Sequence, residues 1–286
     1  MFEVIIHGVL LGGLYSLFAL GLSLMFGVMR LTNIAHGDQI VISGFIGIAI
    51  ASVVNINPFL LIVFLVPCAL VSGYAFQYFV LNRTLGKDPL PSLVITFGLS
   101  IIAQNLLQEI FSANPRSLDS GGLNTLGFGI TSDMTVGVLP LIILACAIAC
   151  TFGLQWMFQH TALGRAFRAV SDEKDIAELM GLNSSKVYSM ATALAFALVA
   201  LAGLFQSMRT TVAPTDGPSL LLFAFESVII GGMGSFWGTF LGAMTLGLAQ
   251  QIGFYFDPGW GIWFGHLVFI AILAFKPNGL FPKTVG

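Results

Sequence analysis

The chain has 286 residues, of which 57% are hydrophobic and only 8% charged, and its formal net charge is −2. A soluble domain carries about 25% charged residues, and eleven Lys+Arg with thirteen Asp+Glu cannot cover a globule of this size. With a mean hydropathy of +0.94 and no clustered basic face, the composition excludes a soluble enzyme and a nucleic-acid binder; it describes a polytopic membrane protein.

Apolar runs bounded by charges, Pro and Gly predict helices at Val4–Val28, Asp38–Val54, Phe59–Val80, Leu93–Phe111, Val136–Phe158, Val187–Ser207, Leu222–Met233, Trp237–Tyr255 and Trp263–Phe275. A crossing takes roughly 20 apolar residues, so residues 1–286 are expected to form one transmembrane domain with no room for a soluble one. The start, Met1 to Gly8, lacks the basic region of a cleavable signal and is expected to open the first span. A membrane barrel would alternate polar and apolar residues, and these runs do not. The fold class is all-α, with about eight to nine transmembrane or half-membrane helices. Leu222–Met233 is too short to cross alone and is expected to be re-entrant or half of a broken helix.

Orientation follows the basic residues. With the N-terminus outside, Arg30, Arg83, Lys87, Arg165, Arg168, Lys174, Lys186, Lys276 and Lys283 fall inside, and only Arg116 and Arg209 fall outside. Tyr74, Tyr78, Trp156, Tyr255, Trp260 and Trp263 stand near predicted span ends, where amphipathic rings prefer the headgroups. Cys68, Cys146 and Cys150 lie inside apolar runs, which argues against a disulfide framework. Cys146 and Cys150, one helical turn apart without a His or carboxylate beside them, suit packing better than metal binding. Gly8-x-x-x-Gly12 and Gly234-x-x-x-Gly238-x-x-x-Gly242 mark close helix contacts.

One loop concentrates charge: Arg165 to Lys186 holds eight of the 24 charged residues, four of each sign. Ala166, Phe167, Ala169, Val170, Ile176, Ala177, Leu179 and Met180 recur there at helical spacing. Ser171 can cap a short helix and Gly181 suits a left-handed C-terminus. The balanced signs suit a protein partner better than an anionic lipid surface. The phosphate-cradling G-x-x-x-x-G-K-[ST] pattern does not occur, Gly86-Lys87 being followed by Asp88, so any ATP must be bound by another subunit.

Several polar residues stand out in apolar surroundings. Glu226, in Phe223-Ala-Phe-Glu-Ser-Val-Ile-Ile, costs several kcal/mol unless it is paired or neutralised, and an intramembrane acid is a functional candidate. It could meet a substrate ammonium, lock two helices, or bond backbone freed at Gly231-Gly232. Thr96 and Gln104 lie two turns apart on one face and could line a polar path. Gly231, Gly232, Gly234 and Ser235 match a discontinuous helix, whose free backbone groups can meet small polar ligands near mid-membrane. Asn33, His36 and Asp38 are expected at the cytoplasmic mouth of the first hairpin, as a gate, a partner contact or, for Asn33, a helix cap. Glu109, near a span end, is expected to be solvated.

The loop Gly164-Arg-Ala-Phe-Arg-Ala-x-x-x-Asp-x-x-x-Ala-x-x-Met-Gly-Leu resembles the coupling-loop signature of branched-chain amino-acid ABC importer permeases of the LivH type. Other blocks agree in order: Gly13-Leu-Tyr-Ser-Leu through Arg30 into Asn33-Ile-Ala-His-Gly-Asp38; Ile95-Thr96-x-Gly98; Leu201-Ala-Gly-Leu; Pro214-x-x-Gly217; Ala224-Phe225-x-x-Val228 through Ser235; and Lys276-Pro-Asn-Gly-Leu-Phe281. The likeness spans nearly the whole chain. Gln250 and Gln251 depart from it, standing where an acidic residue is expected, as does Lys276 where Arg is usual.

The resemblance implies a single transmembrane permease domain in a bacterial inner membrane, not an enzyme itself. Its partners would be a second, homologous permease in a heterodimer, two cytoplasmic ABC ATPases that bind ATP and Mg, and a periplasmic substrate-binding protein that selects the ligand. Loop 164–186 would dock on an ATPase through Gly164, Arg165, Arg168, Asp172, Ala177, Met180 and Gly181. Transport would run by alternating access. Branched-chain amino acids are the favoured cargo, and other members of the family carry urea, amides or aromatic acids. A self-sufficient secondary transporter or channel, the rival class, calls for several buried acids or a His relay, of which this sequence offers Glu226.

Overall fold

The computed structural model describes residues 1–54, 57–85, 90–123, 126–131 and 134–281. In chain order these form α1 (Phe2–Met29), α2 (His36–Val53), α3 (Pro58–Phe79), a 3-10 turn (Leu81–Arg83), α4 (Leu90–Phe111), β1 (Gly127–Thr131), β2 (Met134–Gly137), α5 (Val138–His160), α6 (Ala162–Asp172), α7 (Lys174–Leu179), α8 (Ser184–Arg209), α9 (Gly217–Gly231), α10 (Phe236–Phe256) and α11 (Gly261–Phe275). Six of them, α1 to α5 and α8, are long and apolar enough to cross a membrane. The pair α9–α10 is bent by 117° at a short break, and α11 is a shorter apolar helix. Every predicted apolar run is therefore a helix within a few residues of its expected bounds. The hairpin β1–β2, which pairs Gly127 with Gly137 and Phe128 with Val136, was not anticipated.

Local chemistry sets the helix ends. Asn57 caps α3 ahead of Pro58, Thr161 caps α6, Asn183 caps α8 and Ser235 caps α10, each side-chain oxygen accepting from an amide that would otherwise be orphaned. Arg30 ends α1 in the left-handed region at φ 53°.

Helix α1 is apolar all round and mostly buried, which puts it at the centre of the bundle. It runs antiparallel to α10: Gly8 faces Leu248, Gly12 faces Met244, and Gly27 faces Gly234. Within this seam the Thr239 hydroxyl donates to Ser23 at 2.9 Å. The small residues at Gly8 and Gly12 are thus used for close contact, as their spacing suggested. Helices α3, α4 and α5 leave most of their surface facing outward. The outward aromatic residues Tyr78, Trp156, Tyr255, Trp260 and Trp263 lie at or next to helix ends.

The described basic residues divide between two ends of the bundle. Asn82 donates to Ser185, Ser171 donates to the Gly27 carbonyl, and the Leu280 amide donates to the Ile230 carbonyl. These bonds gather Arg30, Arg83, Arg165, Arg168, Lys174, Lys186 and Lys276 at one end, the charged end. Arg116 pairs through its backbone with Val212, just beyond Arg209, at the other. Lys87 and Lys283, along with Gly86 and Asp88, lie outside the described residues.

Candidate functional site

Asn33, His36 and Asp38 do not stand at a mouth: all three are buried within the bundle. The His36 Nε2 donates to the Phe18 carbonyl at 2.9 Å, roughly 16 Å along α1 from its Met29 end. The segment after α1 therefore re-enters the bundle before α2 begins. The Asn33 carboxamide does not cap α2 from the N-cap position, which Ala35 holds. Its Oδ1 instead accepts from the Ala35 amide, and its Nδ2 donates to Gln39.

Two residues of α4 complete this buried polar group. Thr96 accepts from the Ile34 amide at 3.2 Å, and Gln104 donates to Asp38 Oδ1 at 3.0 Å and to Ser100. The α9 helix starts at Gly217 directly against the Asp38 carboxyl, so the positive end of its dipole faces an acid. His36 Nδ1 and Asp38 Oδ2 have no hydrogen-bond partner among the described residues. A buried acid and imidazole with unused lone pairs are the groups expected to meet a polar ligand or water. Gln39 and Ser43 of α2 carry this polarity to a cavity of about 390 Å³ between α2, α3 and α8.

Glu226 does not bond the backbone at Gly231-Gly232. Its Oε1 lies 2.5 Å from His266 Nδ1, joining α9 to α11, while Oε2 has no hydrogen-bond partner among the described residues. Sequence reasoning missed His266, although it is a lone polar side chain in the apolar run of α11, which was a usable signal. Phe223 stacks on both His266 and Tyr15, and the Tyr15 hydroxyl donates to Gln250 at 2.6 Å. A double-mutant cycle of Glu226→Gln with His266→Phe, read by thermal unfolding, is expected to give a coupling of about 1.5–3 kcal/mol. Additive losses would mean that the two side chains act independently.

The break at Gly231, Gly232, Gly234 and Ser235 is real but lies elsewhere than expected. Gly232 (φ 104°) and Gly234 (φ 81°) supply the turn that side-chain-bearing residues avoid. Gly234 faces Gly27, so the break sits at the charged end rather than at mid-membrane. The freed carbonyls of Ile230 and Gly231 accept from the Leu280 and Phe281 amides. The tail after α11 thus occupies the backbone groups that a ligand would have needed.

The charged loop folds as two helices, α6 and α7. Ser171 does not cap the second; it sits in the last turn of α6 and donates to the Gly27 carbonyl at 2.7 Å. Gly181 (φ 88°) takes the left-handed position, with its amide on the Glu178 carbonyl and that of Leu182 on Ala177. The apolar residues split into two groups. Phe167, Val170 and Ala177 are buried in the chain's own core, whereas Ile176, Leu179 and Met180 are 59%, 87% and 81% exposed.

Of the residues expected to face a partner, Arg165, Asp172, Met180 and Gly181 are exposed, while Gly164 and Ala177 are buried and Arg168 is half-buried. Gly164 packs where any side chain would strike the backbone of Met157 and Phe158. Arg168 donates to the Phe158 carbonyl, and Phe158 touches Phe167 and Phe236. The loop is thereby tied to the ends of α1 and α5 and to the start of α10. Glu109 is exposed on α4 and joins none of these groups.

An all-helical membrane bundle with a buried polar centre, and a loop presenting apolar side chains beyond it, is the architecture of a multi-pass transport subunit. Residues 4–275 match the model of the branched-chain amino acid transport system permease component, and the chain belongs to that family. It is 25% identical over 295 residues to the branched-chain permease BraD of Pseudomonas aeruginosa, covering 97% of this chain and 94% of the relative. With LivH of Escherichia coli K12 it shares 24% over 286 residues, 96% and 93% of the two chains. With LivM of Salmonella typhimurium it shares 27% over 199 residues, 66% of this chain and 46% of the relative.

Proposed function

We propose that the chain is the translocating subunit of an ATP-driven importer in the inner membrane. Its N-terminus lies on the periplasmic side and its charged end on the cytoplasmic side, in keeping with the basic residues gathered there. It pairs with a second, homologous permease, and two ABC ATPases bind ATP and Mg at the cytoplasmic face. A periplasmic binding protein delivers the cargo. Branched-chain amino acids are the favoured cargo, as the names of BraD and LivH say of those proteins.

The observation that carries this reading is the division of the α6–α7 loop. Phe167, Val170 and Ala177 anchor it inward, and Leu179 and Met180 point out, uncovered by any of the described residues. Met180 seats in an ATPase groove with Arg165 and Asp172 at its rim. Ser171 on Gly27 and Arg168 on Phe158 pass ATPase closure to α1 and α5. The Asn33–Asp38 group, with Thr96 and Gln104, then lines the polar part of the path that opens to alternate sides.

Deleting the chain is expected to abolish ATP-dependent uptake of labelled leucine in cells, and returning it restores uptake. If uptake of leucine is unchanged while that of urea, an amide or phenylalanine is lost, the cargo assignment moves to that compound.

A further inference from the structure

Beneath the charged loop, the 3-10 turn at Leu81–Arg83 is bonded on two sides. Leu81 is fully buried, in the same apolar cluster as Phe167, Val170 and Ala177 of the loop. Its neighbour Asn82 reaches α8: Nδ2 donates to Ser185 Oγ at 2.5 Å, and lies 3.3 Å from the Ser185 carbonyl and 3.4 Å from Ser189 Oγ. The Asn82 Oδ1 accepts from Gln77 of α3 at 3.0 Å, and Gln77 accepts in turn from the Thr192 hydroxyl of α8 at 2.6 Å. Gln77, Ser189 and Thr192 are buried, so these bonds are shielded from water and costly to leave unmade.

On its other side the turn meets α4. The Thr84 and Ser92 hydroxyls lie 2.8 Å apart, and Ser92 also donates to the Thr84 carbonyl at 3.3 Å. One turn further along α4, Thr96 donates to the Ser92 carbonyl and accepts from the Ile34 amide, and Gln104 beyond it holds Asp38. At the loop, the Ser184 hydroxyl donates to Glu178 of α7, the residue just before the outward Leu179 and Met180. Arg168 and Ser171 tie only the α6 half of the loop, to α5 and α1. We propose that Asn82 is a positioning residue for transport. It keeps α7 and the first turn of α8 in register with α4, so that movement of α7 reaches Thr96, Gln104 and the Asn33–Asp38 group. The role rests on the importer reading and adds to it a route that the bonds of α6 do not supply.

The test uses the chain purified with its partner subunits and reconstituted in liposomes, with leucine moved and ATP hydrolysed read in the same preparation. Asn82→Leu, close in size but unable to hydrogen-bond, is expected to co-purify with the ATPase as the wild type does, because Leu179 and Met180 are untouched. Leucine moved per ATP hydrolysed should fall about fivefold or more, the equivalent of one to two lost hydrogen bonds. Thr84→Val keeps the Asn82 bonds and removes only the hydroxyl that Ser92 meets; it should lower the same ratio about threefold or more, and it decides the matter if Asn82→Leu does not assemble. A purely structural role would lower uptake and hydrolysis together and leave the ratio unchanged. The wild-type ratio in either assembled variant would overturn the proposal. A wild-type preparation that holds no ATPase, or that moves leucine without hydrolysing ATP, overturns the importer reading itself and the role of Asn82 with it.

Discussion

Met180→Glu is expected to abolish ATP-dependent uptake while the chain remains in the membrane at its normal level. Met180 is 81% exposed and Leu179 87% exposed, so a carboxylate at either position costs the isolated chain almost nothing. Against a partner's apolar groove the same carboxylate must shed its water without a counter-charge, which costs several kcal/mol. Each 1.4 kcal/mol is tenfold in affinity, so uptake should fall by about a hundredfold or more. Leu179→Glu should act alike, whereas Asp172→Asn, at the rim, should lower uptake only several-fold. Membrane level is read by immunoblot and uptake with labelled leucine. Normal uptake by Met180→Glu would remove the loop from the coupling path.

Gly217→Ala is expected to destabilise the fold by more than about 3 kcal/mol, beyond the usual cost of overpacking. Its Cβ would strike the Asp38 carboxyl and backbone, and a Cβ on Gly37 would strike the Gly217 carbonyl. Neither side can yield, because the two helices start against each other and Asp38 is held by Gln104. Gly37→Ala should fail in the same way. Gly98→Ala, where an added Cβ meets nothing within 4 Å, should be neutral. Melting temperatures in detergent read all three. A Gly217→Ala protein that melts with the wild type would mean that α2 and α9 do not approach so closely.

The spans were legible because the bilayer sets their length and demands internal hydrogen bonding, so a continuous apolar run is nearly sufficient to specify one. Depth was not legible. Asn33 to Asp38 follow Arg30, and a polar stretch after a basic residue suggests a mouth. What buries them is the packing of Gly37 on Gly217, about 180 positions away, together with Thr96 and Gln104 on a third helix. The glycine run at 231–235 revealed a break, but not that Leu280 and Phe281 would fill it from the far end of the chain. Glu226 announced a need for a partner without identifying His266. In the loop, helical spacing found the apolar residues, yet spacing alone could not say that Phe167 turns inward and Met180 outward. The β1–β2 hairpin was missed because its short, glycine-containing strands carry no alternation worth reading.

The most direct measurement is purification of the chain from its native membranes in a mild detergent, with the accompanying proteins identified by mass. The importer reading predicts a P-loop ATPase and a second hydrophobic subunit of related sequence, with the ATPase lost from the Met180→Glu preparation or weakened in it and the second subunit retained. A chain that purifies alone, and that moves its cargo across liposomes without ATP, would contradict it; Asp38, His36 and the Glu226–His266 pair would then have to account for coupling on their own.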